Sequence, residues 1–200
     1  MQRIVSFDVG VRNLAYVVLE RVGTSFRIIS WRCIDTLATG SRGTHQDAIV
    51  GVLAVLDELS DDLLECNTVL IEAQPRFAPL NSAIAQAVCA YFLIRRRIDL
   101  GEPVSVHFVS AKLKNRLVCV KHTPRVSVKT GKPVSERYAR YACNKNSAVV
   151  ACETLVTNSG SQALTGLWTN FPKKDDAADA LLQAIAWSNI GIHEARACME

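Results

Sequence analysis

The chain has 200 residues, 49% of them hydrophobic and 21% charged, with a net charge of +4. That length and balance suit one globular domain with a full core, taken as residues 1–200. No apolar run approaches the roughly 18 residues of a membrane span, and a first strand beginning at Arg3 or Ile4 leaves no room for a signal or transit peptide. The expectation is a soluble protein that stays in the compartment where it is made. Seven cysteines, odd in number and without a CxxC pair, argue against a structural zinc site. They read instead as reduced core thiols in a reducing, intracellular compartment.

The elements follow in order. Ile4 to Val9 is a near-continuous apolar run, the pattern of a strand buried on both faces, interrupted by Asp8. Gly10 follows where the chain turns. Leu14 to Glu20 and Phe26 to Cys33 read as second and third strands, with a turn over Arg21–Ser25, and predict an antiparallel meander. Thr44 and Asp47 have capping-box spacing, with Ile49, Leu53, Leu56 and Leu59 behind them at helical intervals. Thr68 to Ala73 is a fourth strand with Glu72 as its one charge. After Pro75 and Pro79 a long helix is expected, with Leu80, Ile84, Ala87, Val88, Tyr91, Ile94 and Ile98 on one stripe. Arg95, Arg96 and Arg97 suit its C-terminus. Val104 to Val109 is a fifth strand. Thr123–Ser135 reads as an extended loop, Asn144–Val156 as a helix, and Thr157–Asn170 as another loop. A last helix is predicted over Asp175–Asn189. Strands 1, 2 and 3 antiparallel, with 4 and 5 joining in parallel and helices on the faces, is the element order of an RNase H-like α/β sheet.

Charge is unevenly spread. Residues 112–145 hold ten basic residues and one acid, a net +9, while the remainder is −5. Such a basic insertion or loop on an acidic body points to a phosphate-backbone partner, although a solvated surface run is the simpler alternative.

Four acids stand out. A lone carboxylate such as Asp8 in a central strand is costly unless it is paired, hydrogen-bonded or bound to a cation. Glu72 ends strand four. Asp176 and Asp179 are three apart and share a face of the last helix, and Gln183 continues that stripe. The rest of this helix is apolar enough to pack on the sheet, which would aim the stripe at the sheet's acidic edge. Carboxylates are hard oxygen ligands for Mg²⁺ or Mn²⁺. Two such ions, about 3.5–4 Å apart, can activate a water and stabilise the leaving oxygen in phosphodiester hydrolysis. Each acid also has a structural alternative. Asp8 could cap a turn, Glu72 could pair with Arg76, and Asp176 and Asp179 could be first-turn acids favoured by the helix dipole. Asp175 suits the helix N-cap.

Phe7-Asp8-Val9-Gly10, Leu70-Ile71-Glu72-Ala73-Gln74 and Lys173-Lys174-Asp175-Asp176-Ala177-Ala178-Asp179-Ala180-Leu181 resemble the active-site motifs of RuvC-type Holliday junction resolvases, nearest to the poxviral and fungal mitochondrial branch. The resemblance runs from Arg3 to about Trp187. It implies an RNase H-like fold, a homodimer, and Mg²⁺-dependent paired symmetric nicking of four-way DNA junctions, with Asp8, Glu72, Asp176 and Asp179 as catalytic metal ligands. It implies a basic active-site role for Lys145, and Lys112 resembles another such residue. It also implies a cytoplasmic setting if the source is viral; a mitochondrial one is less expected.

Arg12, Arg76, Lys112, Lys114, Lys121, Lys173 and Lys174 are the candidate DNA contacts, and the helix over Leu80–Ile98 is the candidate dimer interface. Neither a membrane nor a small-molecule substrate is expected. His107 reads as a structural strand residue, and His122 as a phosphate contact or a solvated loop residue. Trp168 and Phe171 either stack on bases or anchor a loop. The competing readings are a nuclease of the same fold acting on RNA or RNA/DNA hybrid, and a non-catalytic nucleic-acid scaffold. An actin-like nucleotide-binding protein is a third, but it needs two such domains and the chain is too short.

Overall fold

The computed structural model describes residues 2–23, 25–37, 44–118 and 135–188. Three antiparallel strands, β1 (Arg3–Val9), β2 (Asn13–Val22) and β3 (Ser25–Asp35), form the expected meander. The β1–β2 turn is closed by the Gly10 amide, which donates to the Asn13 carbonyl at 3.0 Å. A Cβ on Gly10 would lie 2.9 Å from that oxygen, so the turn needs glycine. The fourth strand, β4 (Thr68–Glu72), lies parallel to β1, and β5 (Ser105–Val109) lies parallel to β4, giving the order β3-β2-β1-β4-β5.

The pleat sorts side chains onto two faces. Val5, Phe7 and Val9 face one core, with Tyr16, Val18, Val69 and Ile71. Helix α1 (His45–Glu58), the single turn α2 (Ser60–Leu63) and α3 (Pro79–Phe92) enclose it. Ile4 faces the other core with Ala15, Val17, Leu19 and Leu70. That side is covered by α4 (Glu136–Asn158), α5 (Gln162–Asn170) and α6 (Lys174–Trp187). By alternation, Ser6 and Asp8 share the face of Ile4, and Glu72 shares that of Leu70. The parallel register pairs Phe7 with Ile71, so Asp8 and Glu72 are the next residues along neighbouring strands on one face.

Several boundaries differ from expectation, each for a local reason. The capping box forms as predicted: the Asp47 amide donates to Thr44 Oγ1 at 3.2 Å and the Thr44 amide to Asp47 Oδ2 at 2.8 Å. The buried stripe of α1 is Ala48, Val52 and Leu56, a residue away from Ile49 and Leu53. Gly51 sets this roll, since a Cβ there would lie 1.9 Å from the Thr36 carbonyl. The long helix is α-helical only to Phe92; Leu93–Asp99 continues as a π-helical segment. That widening rotates the stripe, leaving Ile94 and Ile98 exposed and turning Arg96 inward. Arg96 is thus a buried strut rather than a helix-end charge: it donates to the Leu64 carbonyl and to Glu102, both at 2.5 Å.

The segment expected to be a loop over Thr157–Asn170 contains α5. Ser161 accepts from the Leu164 amide at 3.3 Å as its N-cap, and Trp168 is buried beneath it. Trp168 stacks on Trp31 with ring centroids 5.5 Å apart, and Phe171 meets Trp31 at 4.8 Å. Such aromatic pairs contribute about 0.5–1.5 kcal/mol each beyond their buried area. Helix α4 starts eight residues before the predicted Asn144. His107 lies against Trp187 at 4.5 Å, the structural role expected of it. Cys66, Cys143 and Cys152 are buried and Cys33 and Cys89 half-buried, all free. No described helix is long and apolar enough to cross a membrane.

Candidate active site

The carboxyl ends of β1 and β4, the turn after β1, the loop after β5 and the first turns of α6 surround one cleft of about 410 Å³. Asp8, Glu72, Asp176 and Asp179 all line it, together with Arg12, Lys112, Lys114 and Lys145. The strand register places Asp8 beside Glu72, and the helical spacing places Asp176 and Asp179 on the face that α6 turns to β1. Ala15 stands opposite Asp8 on β2, a small residue where a larger one would crowd the carboxylate.

The acids feel one another. Burial raises the Asp8 carboxyl well above its ordinary range, and the charges of Glu72 and Asp179 raise it further. Burial likewise raises Asp179, against the opposing charge of Lys114. Asp176 is raised by burial and by neighbouring Asp175. The field reaches β3: Cys33 is pushed up to about 11, by burial first and then by Asp176 and Asp8. Carboxylates that share a cleft and disfavour one another's ionisation are an electrostatic mark of a functional site.

Two lysines answer this charge. Lys114, in a short 3₁₀ turn over Leu113–Arg116, places its ammonium against Asp179 Oδ2 and 3.2 Å from Glu72 Oε2. Burial works against the Lys114 ammonium, but Asp179 and Glu72 outweigh it and hold the charged form. Glu72 therefore pairs with Lys114, not with the Arg76 considered from sequence. Lys145 pairs with Asp175 and lies 4.0 Å from Asp176 Oδ1. Burial alone would raise Asp175, but the hydrogen bond and charge of Lys145 hold it below the usual carboxylate range. Asp175 is not the N-cap of α6. That position belongs to Lys173, and Asp175 lies in the first turn.

The other predicted contacts divide. Arg12 and Lys112 stand at the cleft. Arg76 is exposed in the loop after β4. Lys173 and Lys174 flank the start of α6, with the Lys174 ammonium 5.4 Å from the Trp168 ring. Lys121 and His122 lie outside the described residues. Sequence reasoning missed Asn81, Asn115 and Asn144 on the polar rim, and took Gln74 only as part of a motif without a role. Gln74 donates to the Glu72 carbonyl at 3.1 Å, and Asn81 donates to Gln74 at 3.4 Å, bracing the end of β4. The Gln74 signal was available in Glu72-Ala73-Gln74, where a polar residue recurs at the strand period.

The donor set suits a hard divalent cation in atom type and charge. Asp179 Oδ1 is buried without a hydrogen-bond partner, an oxygen that a cation would satisfy. Among the described residues, no three ligating side chains converge on one point, and the Lys114 ammonium sits between two of the acids instead.

Comparison with known proteins rests on the fold. No family model matches the chain, and no curated protein matches it in sequence. The yeast mitochondrial Holliday junction resolvase superposes with a TM-score of 0.57 at 18% identity, over 98% of this chain and 81% of that one. The fowlpox virus resolvase, solved with its substrate Holliday junction DNA, gives 0.58 at 16% identity over 94% and 97%. The T. thermophilus RuvC, also solved with a Holliday junction substrate, gives 0.54 at 15% over 94% and 93%. With its 3-2-1-4-5 sheet, parallel across β1, β4 and β5, this chain has the RNase H-like fold of the RuvC-type Holliday junction resolvases.

Proposed function

We propose that the protein is a structure-selective endonuclease that resolves four-way DNA junctions by paired symmetric nicking. The observation that carries this reading is the meeting of Asp8, Glu72, Asp176 and Asp179 in one cleft with a basic rim. Asp8, Glu72, Asp176 and Asp179 would hold two Mg²⁺ ions, for which Mn²⁺ substitutes. Such ions supply charge to the attacking and leaving oxygens of an in-line phosphodiester hydrolysis. The chain's own residues bind and orient. Arg12 and Lys112 hold backbone phosphates at the cleft mouth without reading sequence. Lys145 adds a cation beside Asp176, where negative charge builds on the scissile phosphate. Arg76, Lys121, Lys173 and Lys174 extend this contact along the duplex arms.

A two-fold dimer sets one such cleft against each of two opposed strands. Its interface is assigned to the outer side of the Leu80–Ile98 helix, where Ile94 and Ile98 are 49% and 71% exposed. Those side chains are apolar surface that a partner copy would cover.

The test is a cleavage assay with Mg²⁺ on a four-way junction, a linear duplex and an RNA/DNA hybrid. Symmetric nicks on opposed strands of the junction, with the other two substrates intact, are the expected result. Preference for the hybrid would transfer the site to an RNA-processing nuclease of the same fold.

A further inference from the structure

We infer that Lys114 is a resident counter-ion of the carboxylate cluster, which a divalent cation must displace before the site is loaded. The inference rests on the metal site proposed above. Three observations carry it. The ammonium lies between Glu72 and Asp179, two acids from different elements, and touches both. All three side chains are sheltered, with 15%, 17% and 12% of their surfaces exposed for Lys114, Glu72 and Asp179, so solvent screens this contact only weakly. Among the described residues no three ligating groups converge on one point, although four carboxylates line the cleft. Two of them, Glu72 and Asp179, close on the ammonium instead.

A fixed lysine would merely neutralise the site. Lys114 has the means to leave. Its ammonium rides on a flexible four-carbon stem, and its backbone belongs to a short turn on the cleft wall. Displacement frees Glu72 Oε2 and Asp179 Oδ2, the same carboxyl groups a hard cation would use. It also leaves a positive charge in the cleft that accepts substrate phosphate. The lysine thereby keeps these two sheltered acids compatible with folding before an ion arrives, at the cost of weaker ion binding.

Mn²⁺ titration of the DNA-free protein by calorimetry tests this, with wild type, Lys114→Met and Lys114→Arg compared. Lys114→Met should bind Mn²⁺ about 10-fold tighter, equivalent to about 1.4 kcal/mol, while its apo form melts at lower temperature. Lys114→Arg keeps the competing charge and should bind close to wild type. Equal or weaker binding by Lys114→Met overturns the counter-ion and leaves the metal site standing. Binding by neither wild type nor Lys114→Met removes the metal site and the inference with it. Should Lys114→Met not fold, acetic anhydride labelling of wild type decides. Modification at Lys114 should rise several-fold on adding Mn²⁺, and an unchanged yield overturns the displacement.

Discussion

Gln183 on α6 donates to the Ser6 hydroxyl on β1 at 3.0 Å, a buried polar link between the helix and the sheet. A second contact reaches the Phe7 carbonyl at 3.4 Å. Ser6 stands two residues before Asp8 on one strand face, and Gln183 stands four after Asp179 on one helix face. Those steps are nearly equal, about 6.6 Å along a strand and about 6 Å along a helix. The link therefore fixes the depth and roll of α6 at which Asp179 meets Asp8.

Gln183→Leu should cost about 1–3 kcal/mol, because it strands the Ser6 hydroxyl in the core. Urea denaturation measures that loss, and junction cleavage should slow alongside it. A variant as stable and as fast as wild type would show that apolar packing alone positions the helix.

Asp8→Asn, Glu72→Gln, Asp176→Asn and Asp179→Asn should each abolish or severely reduce cleavage while junction binding stays near wild type. Gel-shift and nicking assays on the same preparations separate the two. Near-normal Mg²⁺-dependent cleavage by any two of these variants removes the carboxylates from the chemistry.

In metal-free buffer, Asp8→Asn should stabilise the protein by about 1 kcal/mol, since it removes a carboxyl whose charge is disfavoured by burial and by repulsion from Glu72 and Asp179. Millimolar Mg²⁺ or Mn²⁺ should raise the wild-type melting temperature by mass action and the variant's much less. A destabilised apo variant together with metal-insensitive melts would make Asp8 a structural residue.

Removing the Lys112 and Lys121 charges by alanine should weaken binding to every DNA form. The slope of log K against log salt should fall by about 0.9 for each phosphate that is no longer neutralised. Lys114, spent on Glu72 and Asp179, should contribute little to that slope before metal binds. A slope unaltered by the Lys112 and Lys121 changes would point those residues away from DNA.

A fifth expectation concerns pH. Glu20 is buried, and hydrogen bonds from Arg3 and Arg27 lower its pKa. Its folded state thus binds fewer protons than the unfolded chain. The stabilisation is complete above the ordinary carboxylate value near 4.5 and is lost as pH falls through the depressed one. Glu20→Gln should be destabilised at pH 7, and the gap to wild type should narrow under acid. A pH-independent gap would assign the loss to packing.

The sheet, its parallel half and the four acids were legible because each is a local pattern: apolar runs, turn residues, and carboxylates where an apolar side chain belongs. Helix α5 was not. The Ser, Thr, Gly and Asn residues in and around it favour turns on their own, and the Ser161 cap together with the burial of Trp168 against Trp31 favours a helix. The outward roll of Ile94 and Ile98 follows from a π-helical widening that 3.6-residue periodicity does not encode. The role of Lys114 depends on a turn that swings it 42 residues back to Glu72, so it read only as one more basic residue.

All three tryptophans of the chain abut α6. The Trp31 indole donates to the Ala177 carbonyl at 3.1 Å, between Asp176 and Asp179 in sequence. Trp168 lies under Lys174, and Trp187 is the last residue of the helix. The near-ultraviolet dichroism and intrinsic emission of this protein therefore report on α6, the helix that carries Asp176 and Asp179. Ion or junction binding that shifts α6 becomes an optical signal without any added label.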